Sequence, residues 1–171
     1  MAPSYCDPTM ASSLFLLLLT AAICTRAQDP CFVPESSSEK QVNVAYFIWV
    51  GSEVQYGTGM RIEVANNSTF YHVMQKAEEL YPDRYSFEAE CTEWGHYITS
   101  IGGHHEDKEA RNHWLIYKTA GIPETHDPPT ADELTPFGVD KTYVSDNDYY
   151  LFWLRNTDFL IPPTTNASIN I

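Results

Sequence analysis

Two short segments hold the densest chemistry in this 171-residue chain. The first, GGHHEDKEARNH, gathers His104, His105, Glu106, Asp107 and His113, the residue types from which a zinc site is assembled. Zinc needs three or four ligands converging on one point, and adjacent histidines on extended backbone point apart. The segment therefore reads as a polar connection between strands, with no metal expected. The second, SDNDYY, offers Asp146, Asn147 and Asp148 as a calcium loop would, yet lacks the central glycine and the later bidentate glutamate. A tight turn accounts for it. No Gly-x-Ser-x-Gly or His-Glu-x-x-His pattern occurs, so no catalytic residue is assigned and binding rather than catalysis is expected.

A third segment, TEWGHYITSIGG from Thr92 to Gly103, packs Trp94, His96 and Tyr97 around one glycine and ends on two more. Strand geometry sends Tyr97, Thr99 and Ile101 to one face and Ile98 and Ser100 to the other, so one of the two sets is core. A flat aromatic and aliphatic face with hydroxyls beside it suits a large, flat, amide-rimmed ligand. The same alternation is what any two-faced strand shows.

The chain's bulk properties narrow the class. Residues 1–27, with the apolar block Leu14 to Leu19 and Ala27 at a cleavage position, read as a secretory signal peptide, Met10 being a second candidate initiator. The block is too short to span a bilayer, and no other run is long enough, so membrane insertion is excluded and a secreted, extracellular protein is expected. Cys6 and Cys24 fall in the leader, which leaves Cys31 and Cys91 as one disulfide. Closing a loop of that size constrains the unfolded chain by about 4 kcal/mol. The formal net charge of -13 repels nucleic acid and anionic membranes. Asn66, Asn67 and Asn166 each open a glycosylation sequon.

The elements that must carry these side chains follow from periodicity. After a polar lead over 28–39, QVNVAYFIWVG reads as a strand, SEVQYGTG as a turn region and MRIEV as the returning strand. In STFYHVMQKAEELYP, the residues Phe70, Val73, Met74, Ala77, Leu80 and Tyr81 follow one helical face, with Ser68 or Thr69 as cap and Pro82 as the stop. RYSFEAE, HYITSIGG and NHWLIYK read as strands. A long proline-bearing loop precedes KTYVSDNDYYLFWLRN, a hairpin or a turn plus a strand, and residues 157–171 read as a disordered tail. The order predicts an α+β domain: a single mixed sheet packed against one main helix.

EVANNSTFYHVMQKAEEL, WGHYITSIGG, HWLIYK and GVDKTYVSDNDYYLFW, in that order, resemble the C-terminal β-domain of the transcobalamin and gastric intrinsic factor family. The resemblance covers residues 40–156. It implies a β-grasp-like sheet on a helix and a role in holding cobalamin, a corrinoid, between this domain and a helical barrel. On that basis Tyr97, Thr99, Ser100, Ile101 and Trp114 are the expected ligand-binding residues. The barrel supplies the histidine that reaches the cobalt, so no histidine here inherits that role. A ligand of this size held on one face leaves much of its surface in water, so a separate helical-barrel partner or a cell-surface receptor is expected to complete the site. The alternative is an acidic extracellular interaction or matrix protein that reuses the scaffold.

Overall fold

A computed structural model describes residues 40–160 of the chain. The expected signal peptide, the polar lead with Cys31, and Asn166 lie outside the described residues. Among the described residues no helix is long and apolar enough to cross a membrane.

The described residues open with a long hairpin, β1 (Gln41–Val50) and β2 (Tyr56–Ala65), paired antiparallel along its whole length. The returning strand starts earlier than the glycines of YGTG suggest. Gly57 and Gly59 stand opposite Trp49 and Phe47, whose rings lie over them; a Cβ on Gly57 would come within 3.1 Å of Trp49 Cδ1. The glycines are thus room for aromatic rings within a strand, not a turn.

Helix α1 (Phe70–Leu80) follows, capped by Thr69, whose hydroxyl accepts from the His72 amide. Its apolar stripe, Phe70, Val73, Met74 and Ala77, is buried, while Leu80 and Tyr81 are exposed past its last buried turn. Pro82 starts a second short helix, α2 (Pro82–Tyr85), rather than simply ending the first, because proline fits the first helical position where its missing N–H is not needed. Then come β3 (Phe87–Thr92), β4 (Gly95–Ile101), β5 (His104–His105), β6 (Asn112–Thr119) and, after the long loop, β7 (Tyr149–Asn156).

The fold is α+β, but with two sheets where one was expected. A four-stranded sheet runs β2-β1-β7-β6, with β1 and β7 parallel and the other pairs antiparallel; a smaller sheet runs β3-β4-β5. The small sheet contributes Ile98 and Ile101 to the same core as α1 and the inner face of the large sheet, where Val44, Tyr46, Phe152 and Trp114 meet them. It therefore packs by side chains rather than joining the ladder edge to edge. Alternation along a strand is identical in both cases, which is why the pattern could not separate them. Full burial of each such side chain contributes about 1.5–3 kcal/mol.

The opposite face of the large sheet is also covered. Trp49, Tyr117, Leu151 and Trp153 form a second cluster, against which Leu134 of the long loop packs. The loop is pinned there by the Thr135 amide, which donates to the Ile116 carbonyl at 3.0 Å. Arg155 lies between two rings, 3.8 Å from the Trp153 centroid and 4.3 Å from that of Phe159. Order thus extends past residue 156: Thr157 is buried, donates twice to the Arg111 carbonyl, and leads into a 3-10 turn over Asp158–Leu160. The tail expected from residue 157 is structured through 160.

Candidate ligand-binding face

Strands β3 and β4 are joined by a two-residue turn, Glu93 and Trp94, closed by the Thr92 hydroxyl, which donates to the Gly95 carbonyl and accepts from the Trp94 amide. Trp94 stands at the tip with 77% of its surface exposed. Gly95 takes φ +113, and a Cβ there would meet the Asp140 carboxylate at 2.5 Å. That carboxylate accepts from the His96 amide at 2.5 Å and sits 2.8 Å from His96 Nδ1. The buried His96 ring in turn stacks on Tyr71, 3.7 Å between centroids. The glycine in WGHY is therefore the space into which Asp140 reaches, 45 residues downstream.

Along β4 the side chains alternate as a two-faced strand requires as far as Ser100, after which Ile101 turns inward as well. His96, Ile98 and Ser100 are buried; Tyr97 and Thr99 face outward, Tyr97 exposed and Thr99 partly so. Thr99 is the extra residue of a bulge, since Glu88 pairs with Ser100 and Ala89 with Ile98. Its hydroxyl donates to the Glu88 carbonyl at 3.3 Å. Ile101, at the end of the strand, is fully buried as Gly102 turns back beneath the Arg84 carbonyl.

Tyr97 is held by a compact polar network. Its hydroxyl donates to Glu106 Oε2 at 2.5 Å and lies 3.2 Å from His113 Nδ1, which is 3.1 Å from the same carboxylate oxygen. Lys108 Nζ reaches the other oxygen at 3.3 Å and lies 5.5 Å from the Tyr97 ring centroid. The Glu106 side chain is only 5% exposed. Burial works to raise its carboxyl, but hydrogen bonds from Tyr97, His113 and Lys108 outweigh that and hold it below its ordinary value. Burial, then the bond to and charge of Glu106, push the Tyr97 phenol well above its ordinary range, so it stays a donor. The result is an outward aromatic ring fixed at its polar edge, a platform that loses little freedom when something lies against it.

Of the five ligand residues read from the sequence, the structure thus brings Tyr97 and Thr99 to one open face. Ser100, Ile101 and Trp114 face inward, with 3%, 0% and 7% exposure; Trp114 heads β6 in the core and donates from its indole to the His104 carbonyl at 3.2 Å. The supports of Tyr97 come from the segment first considered for a metal. Glu106 and His113 brace the phenol, the His104 ring lies 5.4 Å from that of Tyr56, and Asp107 accepts the Glu109 and Ala110 amides of its own turn. Among the described residues no group of three or more His, Cys, Asp or Glu side chains could hold a metal ion.

In SDNDYY, Asp146 accepts the Asn43 amide, Asn147 takes φ +61, and Asp148 accepts the Ser145 amide while pairing with Lys118 at 2.8 Å. It is a turn plus a strand, tied to β1. Asn67 is exposed at φ +61 just before α1, and Asn66 is half-buried. Cys91 lies exposed on β3 and its expected partner Cys31 is outside the described residues.

No protein-family model matches the chain. Among curated proteins it is 32% identical over 123 residues to the uncharacterized protein CG3556 of Drosophila melanogaster, a match covering 71% of the chain and 20% of that protein. It is 31% identical over 90 residues to Transcobalamin-1 of Homo sapiens, covering 53% of the chain and 20% of that protein. The chain thus spans about a fifth of the length of these relatives. Among solved structures, haptocorrin in complex with Cbi aligns with a TM-score of 0.55 at 20% identity, over 70% of this chain and 26% of that one. At that identity the likeness speaks for the fold. Taken with the WGHYITSI and HWLIYK segments, these findings support the resemblance of the described residues to the C-terminal β-domain of the transcobalamin and gastric intrinsic factor family.

Proposed function

We propose that this domain is half of a corrinoid-binding site in a secreted carrier, the outward face of the small sheet lying against the ligand and a second protein body covering the rest. The observation that carries this reading is Tyr97: an exposed ring on β4 whose hydroxyl is held by Glu106 and His113, so that its face is offered in one orientation. Trp94 at the hairpin tip and Thr99 extend the same strand toward an apolar surface and a polar rim. The similarity to Transcobalamin-1 and to haptocorrin in complex with Cbi supports a corrinoid as the ligand. Ser100, Ile101 and Trp114 serve this face from behind, as core that anchors β4.

The platform is open, and one face buries only part of a corrinoid, so a helical-barrel body or a receptor is needed to complete the site. The large sheet, with its central parallel pair and α1 across one face, supports a grasp-like reading of the scaffold. Secretion would bring with it a Cys31–Cys91 disulfide, checked by counting free thiols in the secreted chain, and sugar on the exposed Asn67 in preference to Asn66. The test of the function is a titration of the full chain with Cbi, read by tryptophan fluorescence, with and without the helical barrel of a cobalamin carrier. Saturable quenching that Tyr97→Ala abolishes, while circular dichroism shows the variant folded at the titration temperature, is the expected result; quenching unaffected by that variant contradicts it.

A further inference from the structure

A groove of about 350 Å³ lies far along the chain from Tyr97, between the long loop and strands β6 and β7. Its walls carry Phe137 and Tyr143, residues that are 58% and 60% exposed. Two large aromatics left open on one groove are a poor arrangement for a surface that meets only water. Its charge is negative. Asp132 and Glu133 line it, and the one cation there among the described residues, Lys118, is already paired with Asp148 at 2.8 Å. Glu133 also lines a neighbouring groove of about 270 Å³ that carries Glu124 and Asp127.

The walls are built rather than loose. Thr130 and Glu133 form a reciprocal capping box around the 3-10 turn Ala131–Glu133. The Thr135 amide is fixed to the Ile116 carbonyl, and the buried Thr142 hydroxyl donates to the Phe137 and Gly138 carbonyls at 3.1 Å. Phe137 and Tyr143 are thereby held six residues apart on one braced segment.

Exposed ring faces beside carboxylates match one ligand chemistry: a guanidinium or ammonium group, which the ring quadrupoles attract and the carboxylates pair. A neutral or anionic ligand would use the rings but not the acids. We infer that this groove docks a basic side chain, arginine above lysine, from an extended segment of a protein partner, with the acids of the neighbouring groove serving the flanking basic residues. Arginine is favoured because its planar group stacks on a ring and pairs with a carboxylate at the same time. This site is independent of the corrinoid reading, and either can fail without the other.

The test uses the full chain and a fluorescein-labelled hexa-arginine peptide, followed by anisotropy. Since a net charge of -13 attracts any polycation, the discriminating variants are the uncharged ones. Phe137→Ala and Tyr143→Ala should each weaken binding by about three- to fivefold, the effect of losing one exposed cation–π contact. Asp132→Asn should weaken it by a similar factor, and Glu88→Gln, on the small sheet, should leave it unchanged. Hexalysine should bind more weakly than hexa-arginine. The inference is overturned if the aromatic variants bind as the parent chain does, if Glu88→Gln weakens binding as much as Asp132→Asn, or if Cbi displaces the peptide. Should both aromatic variants fail to fold, Asp132→Asn against Glu88→Gln still decides.

Discussion

The phenol of Tyr97 and the carboxylate of Glu106 show how one hydrogen bond can set the usefulness of a surface residue. A free tyrosine ring on a strand samples rotamers and must be ordered on binding; here the order is already present, supplied by Glu106, His113 and Lys108. The same network makes a pH prediction with a definite sign. The Glu106 carboxyl is held below its ordinary value in the folded state, so its contribution is full above the ordinary carboxylate range and is lost as pH falls through the depressed folded value. Glu106→Gln should therefore destabilise the chain near neutral pH by about 1–3 kcal/mol, the cost of leaving buried partners under-satisfied. The difference from the parent should shrink in acid, as urea melts across that range would show. A gap that stays constant with pH would mean that Glu106 is not held as described. Gly95 makes a second residue-scale prediction. Alanine there is strained twice, by φ +113 and by contact with Asp140, so Gly95→Ala should lose about 1–3 kcal/mol in thermal or urea unfolding. A neutral substitution would show that the Asp140–His96 tie does not matter to the hairpin.

At the scale of elements, the hairpin β3–β4 is a lever with one end in the core and one in solvent. Ile98 and Ile101 anchor it, Trp114 from β6 packs in the same core, and Trp94 projects from the tip. Trp114→Ala should consequently cost about 3–5 kcal/mol of stability, as large core truncations do, and abolish ligand response only through unfolding. Stability within 1 kcal/mol of the parent, measured by urea melts and paired with lost binding, would return Trp114 to the ligand face. Much at this scale was legible in the sequence. The spacing of Phe70, Val73, Met74 and Ala77 announces α1, and the runs in β1, β4, β6 and β7 announce strands, because period and β-branched or aromatic content are local properties. What was not local was not legible: the strand role of YGTG depends on rings across β1, and the role of Gly95 depends on a carboxylate 45 residues away.

For the whole molecule, the layering is the lesson. An α+β class followed from element order, but whether β3–β4 extends the large sheet or packs against it depends on backbone edges that side-chain pattern does not encode. The candidate face was half readable for the same reason: alternation grouped Tyr97, Thr99 and Ile101 against Ile98 and Ser100 without saying which set was open, and past the bulge at Thr99 it put Ile101 on the wrong side, since Ile101 is buried. Glu106 and His113 were visible as a polar cluster but not as the supports of a tyrosine. The acidity is likewise a property of the whole chain, and the groove at Phe137 and Tyr143 gives it a place to act.

The central claim, that the face of β4 takes a corrinoid against Tyr97, is met most directly by titrating the full chain with Cbi in the presence of a cobalamin carrier's helical barrel while following tryptophan fluorescence. The account predicts saturable quenching that is lost in Tyr97→Ala, a variant that circular dichroism shows folded at the temperature of the titration. Quenching that persists in that variant, or no response at near-millimolar ligand, would contradict it.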